Sequence, residues 1–334
     1  MNQRVAQRSV QGVTAMRSFD EIYDQVGEAC DWISSMEVPV SGTRLAMYQR
    51  DIAELAANYR GGQEALDRLM KRFPNLLNSA LEAMDLVTIH RGLVSHPDQD
   101  ALRERLRMLI SGPEFGSNEK PESSSNRARN YGFELLMAAR AAAGGYRVDL
   151  SHIADLVLRK GEKTIYIECK RPQSAGKLNR NVKDAMGQLK KRMDDDPTPM
   201  AVRAVLAVAV DKIIPVAHKV LHTTNEHTAG KTIERLVTKL HDEHHSILKS
   251  THDRRTIGVF LSLRTLTILA DHNLITVACH DSMFERTGKF AHTGIATDGS
   301  PTAKPPSVTD RMRAEEDYQL IQDFCRSYKS VAYL

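Results

Sequence analysis

The sequence predicts an α/β fold in which an all-helical N-terminal part precedes a region of mixed strands and helices. From Ser18 to about Ile110, apolar residues recur every three or four positions, which is the period of amphipathic helices. Between residues 127 and 212, a helical pattern is followed by three short apolar runs, a second helical pattern and another apolar run. This order of elements predicts a sheet with helices packed against it.

The composition is typical of a globular protein. Of the 334 residues, 41% are hydrophobic, and no apolar run approaches the ~20 residues needed to cross a membrane. The N-terminus lacks the apolar segment of a signal peptide, so we predict a cytoplasmic protein without membrane association. The four cysteines are scattered and form no CxxC pair, which argues against a cysteine-type zinc site: Cys30, Cys169, Cys279 and Cys325.

Residues 1–110 are predicted to form a helical module. Ser18 is suited to cap the first helix, and Pro74 and Pro97 separate the later ones. No catalytic spacing is present, so we predict that the module serves dimerisation or regulation, or binds a partner protein or regulatory ligand. Residues 111–126 read SGPEFGSNEKPESSSN, and this composition predicts a flexible linker.

The segment from Ile153 to Arg171 carries the clearest chemical pattern. Asp155 opens one apolar run, and a second run closes on Glu168, Cys169 and Lys170 after the polar turn KGEK. This pattern predicts a β-hairpin, and alternation along its second strand places Glu168 and Lys170 on the same face. Because Asp155 lies on the neighbouring strand, two carboxylates and an ammonium are expected to converge.

Such a set of groups suits phosphodiester hydrolysis. Carboxylate oxygens hold hard divalent cations such as Mg²⁺. The cation would polarise a phosphate and lower the pKa of a bound water, while the lysine orients that water and offsets negative charge. The simpler alternative is a solvated surface, because Asp, Glu and Lys are abundant on protein surfaces.

The segment resembles the PD-(D/E)XK nuclease superfamily, which has the restriction-endonuclease-like core of helix, three strands, helix and strand. Asp155 matches the first acidic residue of the motif, and Glu168, Cys169 and Lys170 match the (D/E)XK triplet. Ala154 stands where the family motif has proline. The order of elements agrees over residues 127–212, where the first helix ends at Gly144 and Gly145 and a strand begins at Tyr146.

The resemblance implies a role for each matching residue. Asp155, Glu168 and the backbone carbonyl of Cys169 would bind the metal, and Lys170 would lie beside the attacking water. Glu134 on the first helix would be a further metal-site residue, and Gln188 on the second helix would fix the water or a phosphate, as in the Mrr-type branch. The alternative interpretation of Glu134 is an ordinary helix former, and that of Gln188 is a polar residue on the helix surface.

The resemblance also implies a substrate and a setting. We expect a Mg²⁺-dependent endonuclease, with Mn²⁺ as a substitute, that cuts DNA rather than RNA. A homodimer would allow double-strand cutting, and bacterial antiviral defence or restriction would be its context. The alternative is a catalytically inactive nucleic-acid-binding or scaffold protein that keeps the nuclease fold.

Basic residues follow the predicted metal site. Seven of them, Arg192 included, lie between Arg171 and Arg192, against one acidic residue, Asp184. An exposed basic helix would explain them, but their position predicts contact with a phosphate backbone. The residues predicted to bind nucleic acid are Arg171, Lys177, Arg180, Lys183, Lys190 and Lys191.

The nuclease-like domain is predicted to extend over residues 127–285. It would include a long helix, TIERLVTKLHDEHHSILKS, and two strands, TIGVFLSLR and NLITVACHD, added at the sheet edge. Residues 286–309 are predicted to be a loop, and residues 310–334 a helix that docks on the core or on a second subunit. Two histidine pairs, His218 with His222 and His241 with His245, have zinc-binding spacing. We prefer exposed histidines, because HDEHH is not HExxH and no third ligand is evident.

Overall fold

A computed structural model describes most of the chain. The described ranges are 7–13, 19–60, 76–115, 127–151, 155–198, 201–214, 221–249, 255–269 and 274–285, together with residues 64, 68, 69, 71, 119, 253, 319 and 320. Helices and one mixed sheet make up this part of the chain, which confirms the predicted α/β class. None of its helices has both the length and the apolar character needed to cross a bilayer.

The helices of the described residues are α1 Phe19–Ser35, α2 Arg44–Arg60, α3 Leu76–Leu93, α4 Gln99–Leu109, α5 Arg127–Ala143, α6 Ala175–Asp194, α7 Glu226–Glu243 and α8 His245–Lys249. The strands are β1 Gln7–Val13, β2 Arg147–Asp149, β3 Leu156–Lys160, β4 Lys163–Lys170, β5 Val202–Ala209, β6 Leu221–Thr223, β7 Thr256–Leu269 and β8 Leu274–Glu285. The region that was predicted as helix, three strands, helix and strand corresponds to α5, β2, β3, β4, α6 and β5.

The sheet has the strand order β1-β8-β7-β5-β4-β3-β2, and β6 pairs with β7. Strands β2, β3 and β4 form an antiparallel meander, whereas β5 lies parallel to β4 after the crossover through α6. The predicted hairpin is confirmed: Leu156 pairs with Ile167, and Lys160 pairs with Lys163 across a turn in which Gly161 has a positive φ of 61°. Strand β1, which we did not predict, pairs along β8.

Strand β4 separates two apolar cores, and its alternating residues belong to one or the other. Ile165, Ile167 and Cys169 pack in the larger core, on the face that α5 covers. Tyr166 packs in the second core with Leu178 of α6. The alternation predicted from the sequence is therefore correct, and Glu168 and Lys170 follow Tyr166 on the α6 face.

The N-terminal helices are confirmed, but they do not form a separate module. Val26 of α1, Ile52 of α2 and Leu93 of α3 belong to the same core as Leu136 of α5 and the sheet. Helices α3 and α5 approach so closely that a Cβ atom on Gly92 would lie 2.4 Å from the carbonyl oxygen of Ala139. The sequence could not reveal this shared core, because each helix needs only an apolar face and not a particular partner.

The predicted linker, residues 111–126, is anchored at two positions. Phe115 is buried, and the Glu119 side chain is 0% exposed. The Glu119 carboxylate pairs with Arg129 at 3.5 Å, Arg171 at 3.4 Å and Lys212 at 2.5 Å. These contacts correct the prediction of flexibility at Phe115 and Glu119, while residues 116–118 and 120–126 lie outside the described residues.

The C-terminal predictions are tested in part. Strands β7 and β8 are confirmed, and the predicted long helix is divided at His244 into α7 and α8. The predicted loop, residues 286–309, lies outside the described residues. Of the predicted helix 310–334, the structure describes Gln319 and Leu320, which are helical, and Leu320 is buried in the larger core.

Candidate active site

The β3–β4 hairpin brings Asp155 to the end of β4. Asp155 comes directly before β3, and its Oδ2 atom accepts a hydrogen bond from the Cys169 backbone N–H at 2.7 Å. Glu168, the preceding residue of β4, is 1% exposed. The Asp155 carboxylate, which the β4 backbone holds, therefore lies beside the buried carboxylate of Glu168.

Glu168 and Lys170 form an ion pair that α6 extends. The Lys170 ammonium donates to Oε1 of Glu168 at 2.6 Å and to Oε1 of Gln188 at 3.2 Å. The Oε2 atom of Glu168 accepts from the guanidinium of Arg192, one helical turn beyond Gln188. The structure thus brings together Glu168, Lys170 and Gln188, three of the residues singled out from the sequence.

Glu134 reaches the same site from α5. Its Oε2 atom accepts from the Arg105 guanidinium at 2.5 Å, and that guanidinium is held in turn by the Leu150 carbonyl at 2.8 and 3.0 Å. Burial, and then the charge of Asp155, raise the pKa of Glu134 to about 8, although Arg105 opposes the shift. Glu134 therefore interacts electrostatically with the carboxylates of the hairpin.

Neighbouring carboxylates help to raise the pKa of Asp155, as they do that of Glu134. Burial, followed by the charge of Glu168, raises the pKa of Asp155, and the hydrogen bond from Cys169 and the Lys170 ammonium oppose that rise. Burial and the same acidic neighbours also raise the pKa of the Cys169 thiol, which makes it an inert core group. A bound cation would favour the charged forms of Asp155 and Glu134 over their protonated forms.

The donor chemistry of the site fits a hard divalent cation. Asp155, Glu168 and Glu134 offer carboxylate oxygens, the ligands that Mg²⁺ and Mn²⁺ prefer. Within the described residues, no three His, Cys, Asp or Glu side chains are already gathered at metal-ligand distances. Instead, Lys170 and Arg192 occupy the two oxygens of Glu168. The backbone carbonyl of Cys169 remains a predicted ligand.

The predicted nucleic-acid contacts separate into groups. Arg171 is buried, with its guanidinium 3.4 Å from Glu119 and 3.3 Å from Asp211, so it does not lie on a surface that a phosphate backbone can reach. The other predicted residues are exposed on α6: Lys177, Arg180, Lys183, Lys190 and Lys191. Exposure alone does not distinguish between these five.

The helical period distinguishes them. At roughly 100° per residue, Lys177 and Gln188 lie within about 20° of each other on α6, on the edge that adjoins Lys170. Arg180 and Lys191 lie next to them on the outer surface of the helix. Lys183 and Lys190 lie on the opposite edge, where Lys190 pairs with Asp194 at 2.5 Å.

Two site residues, Arg105 and Arg192, were missed from the sequence. Arg192 follows Gln188 by four positions, so the spacing of residues on one helix face carried a usable signal. Arg105 lies on α4, which was assigned to a separate module, and it is 29 positions before Glu134. No local pattern connects residues that far apart.

Among the described residues, His241 and His245 do not form a second candidate site. The rings of His241 and His245 lie 5.4 Å apart edge to face, and burial lowers the pKa of His241. His222 lies in β6, and His218 lies outside the described residues. Within the part of the chain that the structure describes, no third metal ligand joins His241 and His245.

The candidate active site lies at the end of β4. Its elements are a hairpin, a glutamate from α5, and a glutamine and an arginine from α6. No protein-family model matches the chain, and neither a curated protein nor a solved structure matches it.

Proposed function

We propose that the protein is a divalent-metal-dependent nuclease that hydrolyses phosphodiester bonds in DNA. The observation that carries the proposal is the group of side chains at the end of β4: Asp155 accepts from the Cys169 N–H, and the Lys170 ammonium lies between Glu168 and Gln188. The buried Glu134 lies close enough for the charge of Asp155 to raise its pKa. This arrangement supports the PD-(D/E)XK resemblance, as does the order of elements from α5 to β5.

Asp155, Glu168 and Glu134 would hold the cation, which when bound polarises a phosphate and lowers the pKa of a water. Lys170 has a defined part in the reaction. Its ammonium is fixed between Glu168 and Gln188, so it can orient a water and offset charge that develops on the phosphate. The water oxygen adds to phosphorus, one P–O ester bond breaks, and the leaving oxygen takes a proton.

The substrate backbone would lie along the edge of α6 nearest the site. Lys177 shares that edge with Gln188, while Arg180 and Lys191 extend the positive charge over the outer surface of the helix. Contacts of this kind add affinity for phosphates without a preference for sequence. Because Arg171 is buried, it is not part of this proposed surface.

Plasmid cleavage tests the proposal. We expect the full-length protein to nick or linearise supercoiled plasmid in Mg²⁺ or Mn²⁺ and to be inactive in EDTA. The Lys170→Ala variant should lose about 10²- to 10³-fold in rate, the usual cost of removing a group that stabilises transition-state charge. Lys183→Ala is the matched control, because it removes an equal charge from the far edge of α6.

Three results would count against the nuclease. Cleavage that survives the Lys170→Ala substitution would move the chemistry to another site. Cleavage that survives EDTA would exclude the divalent cation. If the protein cuts neither DNA nor RNA and binds no cation through Asp155, the alternative of a nucleic-acid-binding or scaffold protein is favoured.

A further inference from the structure

Each oxygen of the Glu168 carboxylate is paired with a cationic side chain. Lys170 donates to one of its oxygens at 2.6 Å, and Arg192 donates to the other. The side chain of Glu168 is 2% exposed and that of Arg192 is 15% exposed, so water provides little competition for this pair. A buried charge paired in this way is strongly held.

A divalent cation would compete with both pairs for Glu168, although each oxygen keeps a second lone pair. An inner-sphere ligand must present an oxygen lone pair to the cation, and a guanidinium on the same carboxylate repels the incoming charge. Withdrawal of one of the two side chains would relieve this repulsion when the cation binds.

The geometry favours the withdrawal of Arg192. Lys170 follows Glu168 by two positions on β4, and Gln188 also holds its ammonium at 3.2 Å. Arg192 reaches Glu168 from the last turn of α6, through a long side chain that has many rotamers. A change of rotamer can release it without moving either the strand or the helix.

We propose that Arg192 is a competitor for the metal, which occupies Glu168 in the cation-free protein and leaves when a divalent cation binds. Arg192 then acts as an autoinhibitory contact that sets the metal affinity of the site. This inference depends on the proposed function, because it requires that Glu168 bind a metal. Arg192 is not part of the (D/E)XK motif.

Mn²⁺ binding tests the inference without any measurement of cleavage. Free Mn²⁺ is followed by electron paramagnetic resonance while the full-length protein is titrated. The Arg192→Gln substitution removes the competing charge and should tighten the dissociation constant by about tenfold or more, because hydrogen bonds between charged groups are among the strongest in proteins. Lys191→Gln, the matched control, removes an equal charge from the exposed surface and should change it by less than about twofold.

A second pair of variants separates the two proposals. Asp155→Asn keeps an oxygen for the Cys169 N–H but removes a ligand charge, so it should weaken Mn²⁺ binding if this is the metal site. Arg192→Lys keeps the charge and shortens the reach, and it should tighten binding by a smaller factor than Arg192→Gln. Urea unfolding of each variant establishes that it is folded.

The outcomes are distinct. If Asp155→Asn weakens Mn²⁺ binding while both Arg192 variants leave it unchanged or weaker, the competition is refuted and the proposed nuclease stands. If Asp155→Asn leaves Mn²⁺ binding unchanged, the metal is not at this site and both proposals fail. If Lys191→Gln and Arg192→Gln tighten Mn²⁺ binding equally, the effect comes from the total charge of the protein. That result would also refute the competition.

Discussion

The Glu134→Gln substitution tests whether the carboxylates of the site interact. Burial and the charge of Asp155 raise the pKa of Glu134 from the ordinary 4.5 to about 8. At pH values between these two pKa values, the folded protein holds a proton that the unfolded chain releases. The free energy of unfolding should therefore fall as pH rises through this window, because the folded state binds the additional proton.

The size of the effect follows from the shift. For an isolated group with these two pKa values, the loss between about pH 5 and pH 8 is on the order of 3 kcal/mol. Glutamine cannot ionise, but it keeps an oxygen that can accept the hydrogen bond from Arg105. The variant should therefore lack this part of the pH dependence. Its free energy of unfolding, minus that of the wild-type protein, should be larger near pH 8 than at low pH.

Urea unfolding in EDTA at several pH values measures the difference between the two proteins. Glu104→Gln is the control, because Glu104 lies on α4 with a side chain that is 73% exposed, and its curve should run parallel to that of the wild-type protein. If the curves of wild-type and Glu134→Gln protein are also parallel from about pH 5 to pH 8, Glu134 is not held protonated by its neighbours. The electrostatic argument for the site would then be wrong.

Three further predictions concern packing, substrate contact and the buried charges. Gly92→Ala should destabilise the protein by about 1–3 kcal/mol or more, because its Cβ would meet the backbone of α5 at 2.4 Å. The control Gly187→Ala, whose Cβ would lie in open space on α6, should instead stabilise the protein by about 0.5–1 kcal/mol. Equal effects of the two substitutions in thermal unfolding would contradict the close packing of α3 and α5. Lys177→Ala should weaken binding of a DNA duplex, measured by fluorescence anisotropy, by about fivefold, and Lys183→Ala by less than about twofold; the reverse order would place the substrate on the other edge of α6. Glu119→Gln should lower the free energy of unfolding by about 3 kcal/mol or more, since it leaves three cationic partners without their shared carboxylate, and a loss below about 0.5 kcal/mol would show that the cluster is not closed to water.

Features governed by local rules could be predicted from the sequence. The hairpin follows from a period of two interrupted by a polar turn that contains Gly161. The same period places Glu168 and Lys170 on one face, and the structure joins them with a hydrogen bond. Extending that alternation by one residue would have directed Arg171 to the opposite face, where the structure buries it.

Features that depend on distant segments could not be predicted in this way. Strand β1 pairs with β8 although more than 250 positions separate them, and Arg105 meets Glu134 across what read as a linker. Glu119 also lies in a segment of polar composition, yet three cations from other elements bury it. Composition and period describe a segment by itself, whereas these contacts depend on which segments meet.

Anomalous diffraction from crystals of the full-length protein grown with Mn²⁺ would test the central claim most directly. The claim predicts an anomalous peak in contact with the carboxylates of both Asp155 and Glu168, with the Arg192 guanidinium withdrawn from Glu168. A peak bound elsewhere, or no peak while Lys170 and Arg192 both remain on Glu168, would contradict a metal-dependent active site at the end of β4.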